Sequence, residues 1–453
     1  MSLSTVILGP ELLEARFRPL EEALPASEAL TEAERCYYCH AAPCVAACPT
    51  DIDIPGFIRA IAVGQPARAA ERILQANPLG GACARVCPVE TLCEQFCVRQ
   101  GEEGGPVRIG LLQRLSMAQA SPDLFPAATT VVRAQKIAVV GAGPAGLTGA
   151  HLLAREGFAV DLFEAQAQAG GLNESGIAAY KMLDDAAQRE VAHLLAGDRI
   201  RVRCGMALGR DITLAQLRSD YDAVFLALGL QGQHRLRIPG EDLAGVFPAV
   251  PFIAWMRRGE PVPVGQKVVV VGGGMTAMDI AVQIRLLGAE EVHLCYRRGP
   301  EAMGASAREQ RLARDQGVRI HHYRRPLRIE GEGGDCVAIW LQPTVLQGGR
   351  CVDQGQPLRW AVDQVFTAIG QCFNPEVWGE DGASPRLDAH GRIAVDESFR
   401  TSLPGVWAGG DCVGRSADLT VHAVADAKRA VRSIRAALRE DATMLAGDRR
   451  HDT

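Results

Sequence analysis

The chain has 453 residues, 47 % hydrophobic and 22 % charged, enough for two to four domains with real cores at roughly 100 to 200 residues each. A formal net charge of -5 and an isoelectric point of about 6.1 remove the electrostatic case for binding nucleic acid or anionic lipid, which needs a clustered basic excess. Between Met1 and Phe17 there is no basic start, Glu11 and Glu14 interrupt any apolar core, and no later stretch reaches the roughly 18 apolar residues of a spanning helix. A cytoplasmic location without membrane contact is the expectation.

Residues 1–128 hold eight of the 14 cysteines, separated by helical-looking stretches such as Ile54 to Val63 and Pro66 to Gln75. In a reduced compartment such a concentration points to metal ligation or redox chemistry rather than disulfides. The first set is Cys36-x2-Cys39-x4-Cys44-x3-Cys48-Pro49, and the second is Cys83-x3-Cys87-Pro88-x4-Cys93-x3-Cys97. Zinc needs only four ligands in paired CxxC knuckles, and the second set contains no CxxC. In the ferredoxin run C-x2-C-x2-C-x3-C-P the fourth cysteine ligates the other cluster. The Cys48-Pro49 ending matches it, so Cys36, Cys39 and Cys44 need a distant fourth ligand and two interleaved 4Fe-4S clusters follow. Simple counting lets all eight cysteines serve as ligands, Cys83 included.

From Lys136 an apolar strand enters Gly141-Ala142-Gly143-Pro144-Ala145-Gly146, followed by a helix from Leu147 to Glu156 and a second strand, Ala159 to Phe163. The first glycine permits a tight turn, the second lets the backbone approach a pyrophosphate, and the third lets helix and strand pack closely. The phosphate sits on the helix N-terminus, where free N–H groups and the dipole favour an anion. Glu164, 23 residues past Gly141, is placed to hydrogen-bond ribose hydroxyls. Gly170-Gly171-Leu172 and the late Gly409-Gly410-Asp411 resemble the other flavin contacts of flavoproteins with two dinucleotide domains. That resemblance gives Asp411 the ribityl chain of FAD and aims the helix starting near Leu419, Thr420 and Val421 at the flavin ring.

The same grammar returns about 130 residues later, where Lys267 to Val271 runs into Gly272-Gly273-Gly274-Met275-Thr276-Ala277, then a helix and the strand Glu291 to Tyr296. Ala277 replaces the third glycine, a variant the fingerprint allows. This unit reads as an NAD(P)H site. Its second strand ends in Tyr296-Arg297-Arg298 without a carboxylate, so two guanidinium groups could meet a 2'-phosphate and NADPH is favoured, NADH remaining possible. The close cysteine pair of the disulfide reductases of this architecture is missing, since Cys336 and Cys351 stand 15 residues apart. Electrons must therefore leave by another route. Nicotinamide delivers a hydride, clusters accept single electrons, and a flavin between them can do both, so no general acid or base is assigned.

On the cysteine sets, Asn77 to Pro88, Ile109 to Arg114 and Gly170 to Lys181, the chain resembles the flavin and iron-sulfur module shared by the glutamate synthase small subunit and the N-terminal half of dihydropyrimidine dehydrogenase. The resemblance covers Cys36 to about Arg435, and Asn77 to Pro88 with the Gln113 segment look closest to the flavoprotein subunit of bacterial dihydropyrimidine dehydrogenase. It implies one cluster on Cys36, Cys39, Cys44 and Cys97, and another on Cys48, Cys87, Cys93 and Gln113, with Cys83 left as a packed thiol. Met275 departs from the asparagine of the family's second glycine loop. The implied partner is an FMN-containing, pyrimidine-reducing subunit in a hetero-oligomer. A glutamate synthase small subunit is the alternative enzyme reading, and a non-enzymatic zinc or redox-sensing interaction protein is the alternative of another class. The expected fold class is α/β: a helical iron-sulfur domain over 1–128, an FAD domain over 134–248 and 366–440, an inserted NAD(P)H domain over 249–365, and a flexible tail over 441–453.

Overall fold

The computed structural model describes residues 3–6, 15–18, 22–379 and 384–448. Two compact units are present: Ala23–Asn173 with Asp185–Gln231 and Cys372–Thr453, and Met1–Glu22 with Glu174–Asp184 and Gly232–Gln371.

The larger unit starts with the short helices α1 (Ala26–Glu34), α2 (Pro43–Ala46), α3 (Ile54–Ala62), α4 (Pro66–Ala76), α5 (Gly80–Val86) and α6 (Ile109–Met117). Asp53 caps α3 by accepting from Gly56 N at 3.0 Å, and proline opens α4, where its missing N–H costs nothing. Helices this short are not stable alone, so burial must hold them. Phe57, Ile58 and Ile61 of α3 share a core with Ile73 and Leu74 of α4 and with Ile109 and Leu112 of α6.

Beyond this helical region lies a five-stranded parallel sheet in the order Val406–Ala408, Ala223–Leu226, Lys136–Val140, Ala159–Glu164, Ile200–Cys204. Its central strands are continuous apolar runs because helices cover a parallel sheet on both faces. Helix α7 (Pro144–Arg155) crosses from the first glycine loop, and α8 (Ala186–Leu194) carries Glu190, whose carboxylate accepts from Gly81 N at 2.7 Å and Ala82 N at 2.8 Å at the start of α5. A carboxylate at that end satisfies orphan donors and complements the helix dipole. The C-terminal helix Thr420–Asp448 runs past residue 441, where a flexible tail is expected, because Ala442, Met444, Leu445 and Ala446 are good helix formers. Residues 449–453 lie outside the described residues.

A second parallel sheet forms the smaller unit, in the order Arg319–His321, Glu291–Cys295, Lys267–Gly272, Gln364–Ala368, Val246–Pro248. Its ladder recruits Val246–Pro248 and Gln364–Ala368, so the unit reaches beyond the expected 249–365 at both ends. Strand Ser4–Val6 pairs antiparallel with Val262–Val264, which takes the first residues out of the expected helical domain over 1–128. Helices α9 (Met275–Leu286) and α10 (Ala307–Asp315) cover this sheet, and a separate four-stranded antiparallel sheet, spanning Arg324–Glu332 to Leu358–Ala361, belongs to the same unit.

Candidate dinucleotide and iron-sulfur sites

At the first loop, backbone approach explains two of the three glycines. Gly141 has φ +99°, and a Cβ there would stand 2.3 Å from Ala227 O. A Cβ on Gly146 would stand 1.7 Å from Gly141 O. Gly143 is different, since its Cβ would meet nothing nearer than Gly171 Cα at 3.7 Å. The space above it is what a pyrophosphate needs. Gly171, at φ +57°, brings the second glycine pair with Leu172 against that turn, and Gly170 N donates to Ala142 O at 2.8 Å. Pro144 and Ala145 open α7, whose first N–H groups have no helical partner. Glu164 accepts from Ala142 N at 2.7 Å and from Gln166 N at 2.8 Å, so its carboxylate braces the loop and keeps lone pairs for hydroxyl donors.

The C-terminal return reaches the same place. A Cβ on Gly410 would come 2.9 Å from Ala145 Cβ, which sets Asp411 beside the start of α7. Burial pushes the Asp411 carboxyl up to about 7, Asp418 and Asp426 add to the rise, and Arg392 opposes it. The C-terminal helix begins at Thr420, whose hydroxyl donates to Asn173 Oδ1 at 2.7 Å, with Val421 buried behind it. A glycine cradle, a helix N-terminus and an enclosed carboxylate fit FAD.

The second loop repeats the turn with other neighbours. Cβ atoms would stand 2.2 Å from Ala368 O at Gly272 and 2.4 Å from the Tyr296 ring at Gly273, while Gly274 faces open space. Met275, Thr276 and Ala277 open α9, and Ala277 is fully buried, which an alanine in the third position tolerates. Arg297 and Arg298 are exposed after the Glu291–Cys295 strand, and the Arg298 guanidinium stacks on Tyr296 at 5.5 Å. The strand is followed by Tyr296, Arg297 and Arg298, where the first unit has Glu164. A dinucleotide with a charged ribose fits.

One group in this unit has no role assigned from the sequence, although Lys181 closes the Gly170 to Lys181 stretch. Lys181 Nζ lies 2.6 Å from Asp279 Oδ1 on α9 and 2.8 Å from Glu309 Oε1 on α10, and Tyr180 OH donates to Asp279 Oδ1 at 3.1 Å. Burial works against the Lys181 charge, but the two carboxylates together hold its pKa above the ordinary lysine value. Gln283 Oε1 accepts from Ala179 N at 3.0 Å, so the segment Glu174–Asp184 is tied to α9 by side chains at several points. Lysine scarcity is the signal that could have found it: one of only four lysines sits in a segment rich in small apolar residues.

In the helical region Cys36, Cys39, Cys44 and Cys97 line one pocket, walled by Ile54, Pro55, Ile58, Val107 and Ile109. Burial pushes the Cys44 thiol up to about 11, and the neighbouring Cys97 and Cys36 add to the rise. Cys36 is raised by burial, with Cys39 and Cys97 adding to it. The four ligands assigned to one cluster are thus brought together from both sequence sets. Among the described residues no three His, Cys, Asp or Glu side chains form a site for a single metal ion. Four thiols around an apolar pocket suit a cluster, whose ligands stand farther apart than those of one zinc.

Cys48, Cys87 and Cys93 form the second group. The Cys87 thiol is raised well above its usual range by its hydrogen bond with Cys83, then by burial and by Cys93 and Cys48. Cys83 is therefore beside this group. Gln113 is buried too, and its Nε2 donates to Gly80 O at 2.7 Å, which fixes the amide against the first residue of α5. Lys428 of the C-terminal helix donates to Thr50 O and Ala76 O, each at 2.8 Å, and its charge lies near Cys48. Nothing in the motif reading pointed to it.

Residues 135–427 match the pyridine nucleotide-disulphide oxidoreductase family, and residues 13–123 match the domain described as dihydropyrimidine dehydrogenase domain II, 4Fe-4S cluster. The chain is 34 % identical over 452 residues to the glutamate synthase [NADPH] small chain of Escherichia coli K12, covering 94 % of both. It is 32 % identical over 423 residues to the NAD-dependent dihydropyrimidine dehydrogenase subunit PreT of the same organism, covering 92 % of this chain and 96 % of that one. Over 69 % of this chain the fold is similar to that of Mycobacterium tuberculosis FprA in complex with NADPH, with a TM-score of 0.59 at 20 % identity and 86 % of the other chain covered. No helix of the described residues is long and apolar enough to cross a membrane. The cofactors are FAD, NAD(P)H and 4Fe-4S clusters, and the chain is an FAD-dependent NAD(P)H oxidoreductase belonging to the pyridine nucleotide-disulphide oxidoreductase family.

Proposed function

We propose that the chain is the electron-input subunit of a two-component reductase, and that its partner is an FMN-containing subunit that reduces uracil or thymine. The observation that carries this reading is the convergence of Cys36, Cys39, Cys44 and Cys97 on one pocket within the same compact unit as the FAD loop. Bound FAD supplies the conversion of a hydride from NAD(P)H into single electrons for the clusters. The chain's own residues position and tune. The first loop and the start of α7 take the FAD pyrophosphate, Glu164 and Asp411 take its hydroxyls, and the second loop with Arg297 and Arg298 takes NADPH. Cys36, Cys39, Cys44 and Cys97 hold one cluster; Cys48, Cys87, Cys93 and Gln113 hold the other, with Cys83 packed beside it. Glycines that admit only backbone keep both dinucleotides in fixed turns, and the thiolate ligands with their surroundings set cluster potentials.

The relatives support a chain that works with a second polypeptide, since one is named a dihydropyrimidine dehydrogenase subunit and the other a synthase small chain. The second reading, feeding glutamate formation, is favoured by the match to the small chain along 94 % of both sequences. Anaerobic mixing with each candidate partner and NADPH separates them: consumption of uracil supports the first reading, and glutamate formation without uracil reduction rejects it. The ligand assignment is tested by iron content. Replacing Gln113 with leucine should lower about eight irons per chain towards four while Cys83→Ala keeps about eight; the opposite pattern makes Cys83 the ligand.

A further inference from the structure

We propose that the face of the helical region around the Cys36, Cys39, Cys44 and Cys97 pocket is a docking surface for an acidic electron-accepting protein, a proposal that rests on the electron-input reading above. Two observations meet there. The first is exposed apolar surface beside the cluster ligands. Tyr37 is 58 % exposed, Phe96 52 % and Val98 48 %, and they are the sequence neighbours of Cys36 and Cys97. Tyr37 and Val98 also line the cysteine pocket. Scattered exposed apolar residues need no explanation, but three on the rim of one redox pocket form a patch of the kind that marks an interface.

The second observation is a separate pocket of about 460 Å³ lined by Arg59, Arg68 and Arg72 together with Tyr38 and Val63. Pro55 lines both pockets, so they are contiguous. No carboxylate lines the arginine pocket. Arg72 pairs at 2.7 Å with Asp53, whose carboxylate lies at the rim against the lining residue Gly56, and Arg59 stacks on the Tyr38 ring at 4.7 Å. Arg68 is exposed. Glu102, near the Tyr37 end, is held by Arg99 at 2.9 Å and accepts from Tyr37 OH, so it does not offset the arginines. Three guanidinium groups line this pocket in a chain of net charge -5, with Asp53 and Glu71 the exposed acidic residues beside them in the sequence. Apolar centre and cationic flank together fit a partner whose own redox centre is ringed by carboxylates. The charges steer the encounter, and the apolar rim excludes water where the centres approach.

The test is binding of a probe protein to the whole, iron-loaded chain. Cytochrome b5, an acidic one-electron acceptor, and cytochrome c, a basic one, are titrated separately, and the dissociation constants are read between roughly 20 and 200 mM salt. The expected result is binding of cytochrome b5 that weakens as salt rises, with no comparable binding of cytochrome c. Arg68→Glu and, independently, Arg59→Glu should each weaken cytochrome b5 binding by about tenfold at low salt with iron and flavin content unchanged. Equal affinity for the two cytochromes, or cytochrome b5 binding that ignores both charge reversals, overturns the proposal. Failure of the electron-input reading looks different, because it shows as missing iron or flavin in the unaltered chain before any cytochrome is added.

Discussion

The two glycine loops share a strand, a turn and a helix, and they differ in what the next strand brings to the turn. At the first, Glu164 is bonded into the backbone of the turn itself through Ala142 N. At the second, an aromatic ring packs under Gly273 and two exposed arginines follow it. Shared turn chemistry suits both loops to a pyrophosphate, and the proposed choice of ribose rests on the end of the following strand. Within each loop the glycines also divide. Gly141, Gly146 and Gly272 are glycines because protein backbone lies where a side chain would go, whereas Gly143 and Gly274 keep room for a ligand.

The largest expected effect tests that division. A valine at Gly146 would collide with the Gly141 carbonyl, so the substitution should cost more than about 4 kcal/mol and abolish flavin retention on gel filtration. Gly274→Ala should leave thermal unfolding unchanged and weaken nicotinamide binding only. Equal destabilisation by both would erase the distinction between packing and ligand glycines.

Next in size is a difference between the units. Asp279→Ala leaves Lys181 with Glu309 alone in a largely buried place and should cost about 3 to 5 kcal/mol in denaturant unfolding. If the loss is below about 1 kcal/mol, the Glu174–Asp184 segment is held by its apolar contacts and not by the charge cluster.

The strand ends come third. Replacing Arg297 and Arg298 together with alanine should lower the preference for NADPH over NADH by about tenfold or more, chiefly through the KM for NADPH, since one charge-assisted hydrogen bond carries about 1.5 to 3 kcal/mol. An unchanged preference would detach the ribose choice from this strand end.

The last expected effect is a pH dependence of the FAD-free protein. Asp411 sits at about 7 in the folded chain because burial, then Asp418 and Asp426, disfavour its charged form. A folded-state value above the ordinary carboxylate value makes a stabilisation that is complete below about pH 4 and is lost as pH rises through about 7. Thermal unfolding of FAD-free protein should therefore weaken across that window, and Asp411→Asn should flatten the trend.

Features governed by local rules were legible in the sequence. Glycine spacing placed both turns, the second strand began at Ala159 as expected, and the helices over Ile54–Ala62 and Pro66–Ala76 fall within a residue of their sequence limits. Cysteine spacing gave the idea of interleaved clusters because the Cys-Pro ending implies a ligand from elsewhere, and Cys97 does reach the first three cysteines. What depends on distant partners was not legible. Glu190 meets the start of α5 across more than 100 residues of chain, Lys428 reaches Thr50 and Ala76 across still more, and Lys181 is joined to Asp279 and Glu309 by packing alone. No periodicity announces such pairs. The same holds for Val246–Pro248, three residues too short to signal a sheet until the neighbouring strand is in place.

The central claim is that this chain passes nicotinamide electrons on to its iron-sulfur clusters. Anaerobic titration of the purified protein with NADPH, followed by flavin absorbance and by electron paramagnetic resonance on the same samples, tests it most directly. The account predicts about one FAD and about eight irons per chain, bleaching of the flavin, and a reduced 4Fe-4S signal growing with added NADPH. Flavin bleaching with zinc in place of iron, or clusters that stay oxidised while NADPH bleaches the flavin, would contradict it.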